Sequence, residues 1–316
     1  MTSLARHGGF SGTGLRAWSR RRKGKVEEKP LPLGRQLLLQ GVCLLIAFTV
    51  LFPVFWILSL SLDPRGLSRP DGLNLIPPGI TFDAYAKVIA QPTSNPVSFW
   101  ELARNSFLVA IFVAILSVGV GVTAAYAFSR LDFPGREALM IAILGVLMLP
   151  AVATIAPLFI LLTRIQVGDF TLGRTLAGVI IAVVSGALPF AIWNLKGYLD
   201  TIPRELEEAA AVDGASRNQI FVRVVLPLAT PALAVTAFLG YIAGWTEFYF
   251  SVIFLSDPKQ FTLSLALNGM VGQYATQTPW SQFSAFAILF ALPVSIVYIF
   301  LQKYIIGGLA VGGVKG

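Results

Sequence analysis

The sequence predicts an all-α polytopic membrane protein with six transmembrane helices. Of its 316 residues 55% are hydrophobic and only 13% are charged, whereas a soluble domain carries about 25% charged residues. A membrane-spanning helix needs about 20 mostly apolar residues, and six stretches meet this requirement. Because backbone polar groups in hydrocarbon need internal partners, each stretch is predicted to be helical. The Pro residues inside the stretches predict kinks, and they are Pro53, Pro150, Pro157, Pro189 and Pro293. The six stretches are residues 37–62, 105–129, 138–163, 176–195, 229–255 and 284–302.

The distribution of basic residues predicts the orientation of these spans. If the N-terminus is cytoplasmic, 17 Lys and Arg residues lie inside and 7 lie outside, the bias that membrane proteins show. Both termini are therefore predicted to be cytoplasmic, with long outside loops at 63–104 and 256–283. Nine of the basic residues lie in a head at 1–36. Because a span follows this head directly, we interpret it as an orientation signal or a contact with anionic lipid rather than a nucleic-acid site.

The composition also excludes several kinds of chemistry. Cys43 and His7 are the only residues of their types, so one chain can build neither a disulfide nor a Cys/His metal site. No G-x-x-x-x-G-K-[ST] phosphate-binding loop is present, and no nucleophile motif stands out. We therefore predict no catalytic residue and no metal site.

Glu247 is the one formal charge within the six apolar stretches. An intramembrane carboxylate is a candidate path residue by default, and a structural hydrogen-bond acceptor is the alternative. An ion-coupled secondary transporter normally needs several such groups near the bilayer centre. With only Glu247 available, that class remains the minor alternative.

The longest polar interruption on the predicted inner side is residues 197–228. Pro203 is typical of a helix start. The pair Asp213-Gly214 is a natural stop, with Gly214 as the left-handed residue after the helix. Ser216 and Gln219 form an S-x-x-Q capping box for a second helix.

The first of these two helices has a face of small residues. Leu206, Ala209, Ala210 and Asp213 follow the i, i+3, i+4, i+7 spacing and are predicted to share one face. Because alanine side chains are short, a partner protein can approach this face closely. A rigid docking element and an ordinary capped connection both fit the local pattern.

The spacing within this loop resembles the signature of ABC-importer permeases. That signature is E-A-A-x3-G-x9-I-x-L-P, where x is any residue. Residues 208–227 match it with Glu208-Ala209-Ala210, Gly214 and Leu226-Pro227, and Val224 stands in place of Ile. The longer run EEAAAVDGASRNQIFVRVVLPLATPAL and the tail LQKYIIGGLAVGGVKG resemble the carbohydrate-uptake branch, and the tail resembles its maltose-type members. The run at 244–248 resembles that branch's W-N-E-F, with Thr246 in place of Asn.

This resemblance, which covers residues 37–316, implies a role for the loop. In the family it is a coupling helix that docks on a separate ATPase, and the C-terminal tail also reaches that ATPase. The implied domains are a permease domain at 37–306 and a cytoplasmic tail at 307–316. The implied coupling residues are Glu207, Glu208, Ala209, Ala210, Asp213, Gly214, Ala215, Phe221, Leu226 and Pro227. The implied tail contacts are Gly312, Gly313 and Lys315, and the implied structural or path residues are Trp245 and Glu247.

The resemblance also implies partners and cargo. The partners are a second permease subunit, an ATPase dimer that binds ATP and Mg²⁺, an extracytoplasmic solute-binding protein and membrane lipids; this chain binds no cofactor itself and no nucleic acid. The implied location is the inner or plasma membrane of a prokaryotic cell. The implied cargo is a sugar such as maltose, a maltodextrin or trehalose, with a polyol or glycerol phosphate also compatible. In maltose-type relatives the partner permease supplies the sugar site.

Overall fold

The structure is a computed structural model that describes residues 32–66, 75–272 and 278–312. The chain forms two units, Met1–Phe52 and Pro53–Gly316. Helix α1, Leu33–Ser61, begins in the first unit and ends in the second. Most of the predicted basic head, 1–36, lies outside the described residues.

The described chain is mostly helical, as predicted. A two-stranded antiparallel hairpin pairs β1, Gln166–Val167, with β2, Phe170–Thr171. The helices that follow α1 are α2 Asp83–Ala90, α3 Phe99–Arg130, α4 Arg136–Val146, α5 Ala151–Thr163, α6 Leu176–Leu199, α7 Glu205–Val212, α8 Arg217–Ile220, α9 Leu226–Leu228, α10 Thr230–Trp245, α11 Tyr249–Phe254, α12 Leu263–Gly269 and α13 Trp280–Gly312.

Among the described residues, four single helices are long and apolar enough to cross a membrane: Leu33–Ser61, Phe99–Arg130, Leu176–Leu199 and Trp280–Ile305. A fifth is obtained if the bent pair Arg217–Leu228 and Thr230–Trp245 counts as one span. The prediction of a polytopic helical protein is confirmed, whereas six continuous spans are not found.

The predicted third span, 138–163, forms two helices rather than one, with the break next to Pro150, where a kink was predicted. The chain forms α4 and α5 with a break between them, because Pro150 has no N–H and disfavours helical backbone in the residue before it. At the break Leu147, Met148 and Leu149 each donate to the carbonyl three residues earlier, at 3.1 Å. The helix therefore tightens and stops, and a new one begins at Ala151.

The predicted fifth span, 229–255, is also interrupted. At its start the chain bends by 77° between Leu228 and Thr230. Pro231 cannot donate to the carbonyl of Pro227, and the Thr230 hydroxyl donates to that oxygen instead at 2.7 Å. At its other end α10 stops at Trp245, and α11 begins only at Tyr249.

Helix α3 is the central element of the second unit, packed against α6 and α10. Gly240 and Gly244 of α10 lie against α3. A Cβ atom on Gly244 would lie 2.7 Å from the Cα of Ala110, and one on Gly240 would lie 3.0 Å from the Cα of Ala114. Small residues four apart on both helices allow this close approach, a common way for helices to pack in membranes.

The N-terminal part of α3 holds the segment that follows α11. The Asn105 amide donates to the carbonyls of Lys259 and Phe261 at 2.8 and 2.9 Å, and the Leu263 N–H donates to Ser106 at 2.7 Å. The long loops predicted at 63–104 and 256–283 therefore contain structure, including α2 and α12. Residues 67–74 and 273–277 of these loops lie outside the described residues.

Candidate functional site

The loop that carries the signature begins with α7, and Gly214 ends it as predicted. Gly214 has a φ of +87°. The N–H of Gly214 donates to the carbonyl of Ala211, and the N–H of Ala215 donates to that of Ala210, both at 3.0 Å. These two bonds form a Schellman motif, which satisfies the last carbonyls of a helix. A Cβ on Gly214 would meet nothing within 4 Å, so it is the backbone angle alone that favours glycine there.

The predicted second helix is also confirmed. The Ser216 N–H donates to the Gln219 side chain at 2.8 Å, and the Gln219 N–H donates to the Ser216 hydroxyl at 3.4 Å, which completes the capping box. From α8 the helix continues through a π-helical turn, Phe221–Val225, into α9. Ile220 and Val225 are buried, so this segment is fixed to the body of the protein.

Helix α7 has one anchored side and one free side. Ala210, Ala215 and Phe221 pack against the hydrophobic cluster formed by the ends of α3, α6 and α8. Leu206 is exposed, and Val212 is 88% exposed. The prediction that Ala210 shares the free face was therefore wrong, because Ala210 faces the body. Of the remaining predicted coupling residues, Leu226 is half-buried, and four are exposed: Glu208, Ala209, Asp213 and Pro227.

Glu207 points towards the end of α3. Its carboxylate accepts from Arg130 Nε at 2.6 Å and from the Tyr126 hydroxyl at 3.2 Å. The Arg130 side chain is 8% exposed and that of Glu207 is 13% exposed. Removing one partner of such a buried pair typically costs about 3–5 kcal/mol. Sequence reasoning missed Arg130 and Tyr126, because a basic residue at the end of an apolar run carries no signal beyond orientation.

A second polar contact joins α3 to the residues after α6. The Ser129 hydroxyl donates to Asp200 at 2.5 Å, and Lys196 donates to the same carboxylate at 2.6 Å. Burial raises the pKa of the Asp200 carboxyl, but the hydrogen bonds from Lys196 and Ser129 outweigh this effect and hold that pKa below its usual range. Asp200 is therefore a charged anchor at neutral pH.

Glu247 lies between α10 and α11 rather than within a helix. Its carboxylate accepts from the N–H of Phe250 at 2.6 Å, and from the N–H and hydroxyl of Ser251 at 3.0 and 2.6 Å. The residue is 8% exposed. Glu247 therefore caps the first turn of α11, and its acceptor capacity is used within its own chain.

Trp245 is a packing residue in this structure. It is fully buried, and its indole N–H donates to the carbonyl of Phe290 in α13 at 3.0 Å. Its ring lies between those of Tyr241, Phe107 and Phe290, at centroid distances of 5.8, 4.8 and 5.6 Å. The predicted tail residues Gly313 and Lys315 lie outside the described residues, and Gly312 is the last residue described.

These features define a permease. Residues 117–310 match the family described as "Binding-protein-dependent transport system inner membrane component", and the chain belongs to this family of ABC-importer membrane subunits. It is 32% identical, over 90% of its length and 98% of the relative's, to the "Trehalose/maltose transport system permease protein MalG" of Thermococcus litoralis. It is 34% identical, over 84% and 93%, to the "Trehalose transport system permease protein SugB" of Mycobacterium tuberculosis.

A solved structure agrees with this assignment. The chain matches a subunit of "a bacterial ABC transporter involved in the import of the acidic polysaccharide alginate" with a TM-score of 0.68 and 26% identity, over 84% of this chain and 95% of that one. The chain is thus an inner-membrane permease subunit of an ABC importer.

Proposed function

We propose that this permease conducts a saccharide inward and that α7, with its Schellman turn, couples it to a separate ATPase. The observation that carries the coupling role is the two-sided geometry of α7. One side is fixed by Ala210 and Glu207, and the other leaves Leu206 and Val212 free. A partner that presses on the free side pushes against a supported element.

The saccharide cargo is supported by the relatives. Trehalose, maltose and alginate are named for proteins 26–34% identical to this chain. These differ in size and charge but share dense hydroxyl groups. The proposed class is accordingly a di- or oligosaccharide.

The proposed assembly contains a second permease, an ATPase dimer with ATP and Mg²⁺, and an extracytoplasmic solute-binding protein. The family description supports the binding protein. The sequence has no phosphate-binding loop of the P-loop type, which supports a non-catalytic chain that draws energy from a partner.

The proposed topology has six crossings with both termini in the cytoplasm. Helices α4 and α5 together span 136–163, and we assign them to one broken third crossing. We assign the bent pair, Arg217–Leu228 and Thr230–Trp245, together with α11 to the fifth crossing. This places α7 inside the cell and the hairpin β1–β2 outside. The tail at 307–316 is then positioned to reach the ATPase.

The test is purification followed by transport. The chain is expressed with the genes encoded beside it, purified through a tag, and reconstituted in liposomes with the cognate binding protein. We expect a second permease and an ATPase to co-purify, and uptake of a labelled saccharide to require internal ATP. Saccharide uptake by this chain alone, or uptake driven by an ion gradient without ATP, would refute the proposal.

A further inference from the structure

Three elements of the permease meet at the side chain of Arg130, the last residue of α3. Its Nε donates to Glu207 of α7 at 2.6 Å, and its Nη2 donates to the carbonyls of Leu199 and Ile202 at 3.0 Å each. The Leu199 carbonyl belongs to the last turn of α6, at the negative end of the helix dipole, and it also accepts from the Ile202 N–H at 3.1 Å. One guanidinium therefore binds both the C-terminal end of α6 and the Glu207 side chain of α7.

A reciprocal bond runs back from the start of α7 to α3. Arg204, directly before α7, donates to the carbonyl of Ser129 at 3.0 Å. The Ser129 hydroxyl in turn donates to Asp200 and accepts from Arg130 Nη1. Two arginines thus connect these elements: Arg130 donates to the carbonyls of Leu199 and Ile202, at and just after the end of α6, and Arg204 donates to the carbonyl of Ser129 in the last turn of α3.

The burial of this group distinguishes it from a surface ion pair. Exposed pairs are screened by solvent and contribute little, but Arg130 and Glu207 are 8% and 13% exposed. A planar guanidinium can bond several acceptors in fixed directions, whereas an ammonium cannot reproduce this fork. The contact is therefore fixed in distance and in orientation.

We propose that Arg130 is a positioning residue that makes α3 and α6 follow α7 when the ATPase moves it. This inference rests on the proposed coupling role of α7. The chain connects α7 to the bundle in two directions: back through residues 200–204 to α6, and forward through α8, the π-helical turn and the 77° bend to α10. Neither connection leads directly to α3, which packs against both α6 and α10. The Arg130–Glu207 contact supplies that direct link.

The experiment compares Arg130→Met, Arg130→Lys and Glu207→Gln in the complete transporter in proteoliposomes. The control is Arg136→Met, which removes an arginine from an exposed ion pair with Asp132 at 2.9 Å. The readout is the number of ATP molecules hydrolysed per sugar transported, because a merely lower amount of folded complex leaves this ratio unchanged.

We expect the Arg130→Met and Glu207→Gln complexes to keep their ATPase subunits bound. Their ATP-per-sugar ratio should rise about tenfold, within the usual range of coupling between two sites. Arg130→Lys should fall between Arg130→Met and wild type, and Arg136→Met should match wild type. If Arg130→Met fails to assemble, Glu207→Gln decides, since it keeps the side-chain shape. Wild-type ratios in every assembled Arg130 and Glu207 variant would overturn the proposal.

The same measurement on Gly214→Val distinguishes the Arg130 proposal from the coupling role of α7, on which it rests. If Gly214→Val uncouples the transporter while the Arg130 and Glu207 variants do not, only the Arg130 proposal falls. If Gly214→Val also leaves the ratio at the wild-type value, the coupling role of α7 itself is refuted, and the Arg130 proposal is overturned with it.

Discussion

Single carboxylates in this permease act as caps and anchors. Glu247 satisfies two N–H groups and one hydroxyl at the start of α11. Asp200 is held at the end of α6 by Lys196 and Ser129. An intramembrane Glu is a candidate for ion or substrate contact, but the carboxylate of Glu247 already accepts three hydrogen bonds from the next helix.

Replacing Glu247 should lower stability without changing which sugar is transported. Glu247→Ala leaves buried donors unpaired, at about 1–3 kcal/mol for each one left unsatisfied. We expect a lower melting temperature of the purified complex and an unchanged order of competing sugars in uptake assays. Glu247→Gln, which keeps one acceptor oxygen, should lose less.

The matched control is Asp257→Ala. Asp257 caps a short turn by accepting from the Lys259 N–H at 3.0 Å, but in an exposed position where water can replace it. A changed sugar preference in Glu247→Gln at a normal melting temperature would instead make Glu247 a path residue.

Residue-level prediction from sequence succeeded where the signal is local. The positive φ of Gly214 and the Ser216–Gln219 capping box follow from residue type and short spacing. The Arg130–Glu207 contact was not predictable, because its two residues lie 77 positions apart and each alone resembles an ordinary surface charge. Ala210 was placed on the free face because spacing shows which residues share a face but not which way that face points.

At the scale of helices, α3 and α10 approach each other closely. Gly240 and Gly244 bring the two backbones together at Ala110 and Ala114. Because lipid is as apolar as the side chains, such packing, rather than the hydrophobic effect, holds membrane helices together.

Gly244→Ala should separate these helices. The new Cβ would lie 2.7 Å from the Cα of Ala110, a backbone atom that cannot rotate away, and such overpacking costs about 1–3 kcal/mol. We expect a lower melting temperature of the complex. Gly119→Ala in α3 is the control, since a Cβ there meets nothing within 4 Å. Equal melting temperatures for the two variants would contradict this packing.

The sequence predicted kinks at the internal Pro residues, but it could not predict which of them would break a helix. Pro150 ends a helix, whereas Pro157, Pro189 and Pro293 lie inside helices. Proline therefore occurs both at a helix break and inside continuous helices. The surrounding residues are equally apolar in the two cases, so composition does not distinguish them. The break after Trp245 depends on the Glu247 cap, which spacing alone does not distinguish from a helix that continues.

At the scale of the whole molecule, the proposed topology has α7 and the β1–β2 hairpin on opposite sides of the membrane. Val212 beside the Schellman turn is 88% exposed, and Val167 in the hairpin is 75% exposed. Both positions are therefore accessible to a labelling reagent.

Cysteine labelling should reveal this orientation. In a Cys43→Ser background, Val167→Cys should react with a membrane-impermeant maleimide in intact cells. Val212→Cys, expressed without the ATPase, should react only in inside-out vesicles. Labelling of both from the same side would contradict the topology.

The central claim, that α7 and its turn couple this permease to an ATPase, is tested most directly by sugar-stimulated ATP hydrolysis in the reconstituted complex of Gly214→Val. A β-branched residue at a φ of +87° is strongly disfavoured, so the turn should deform although space is available. We predict that stimulation falls about tenfold while the protein still inserts and assembles. Gly214→Asn, which tolerates this conformation, and Gly197→Val in α6, where a Cβ meets nothing within 4 Å, should keep it. Normal stimulation in Gly214→Val would contradict the account.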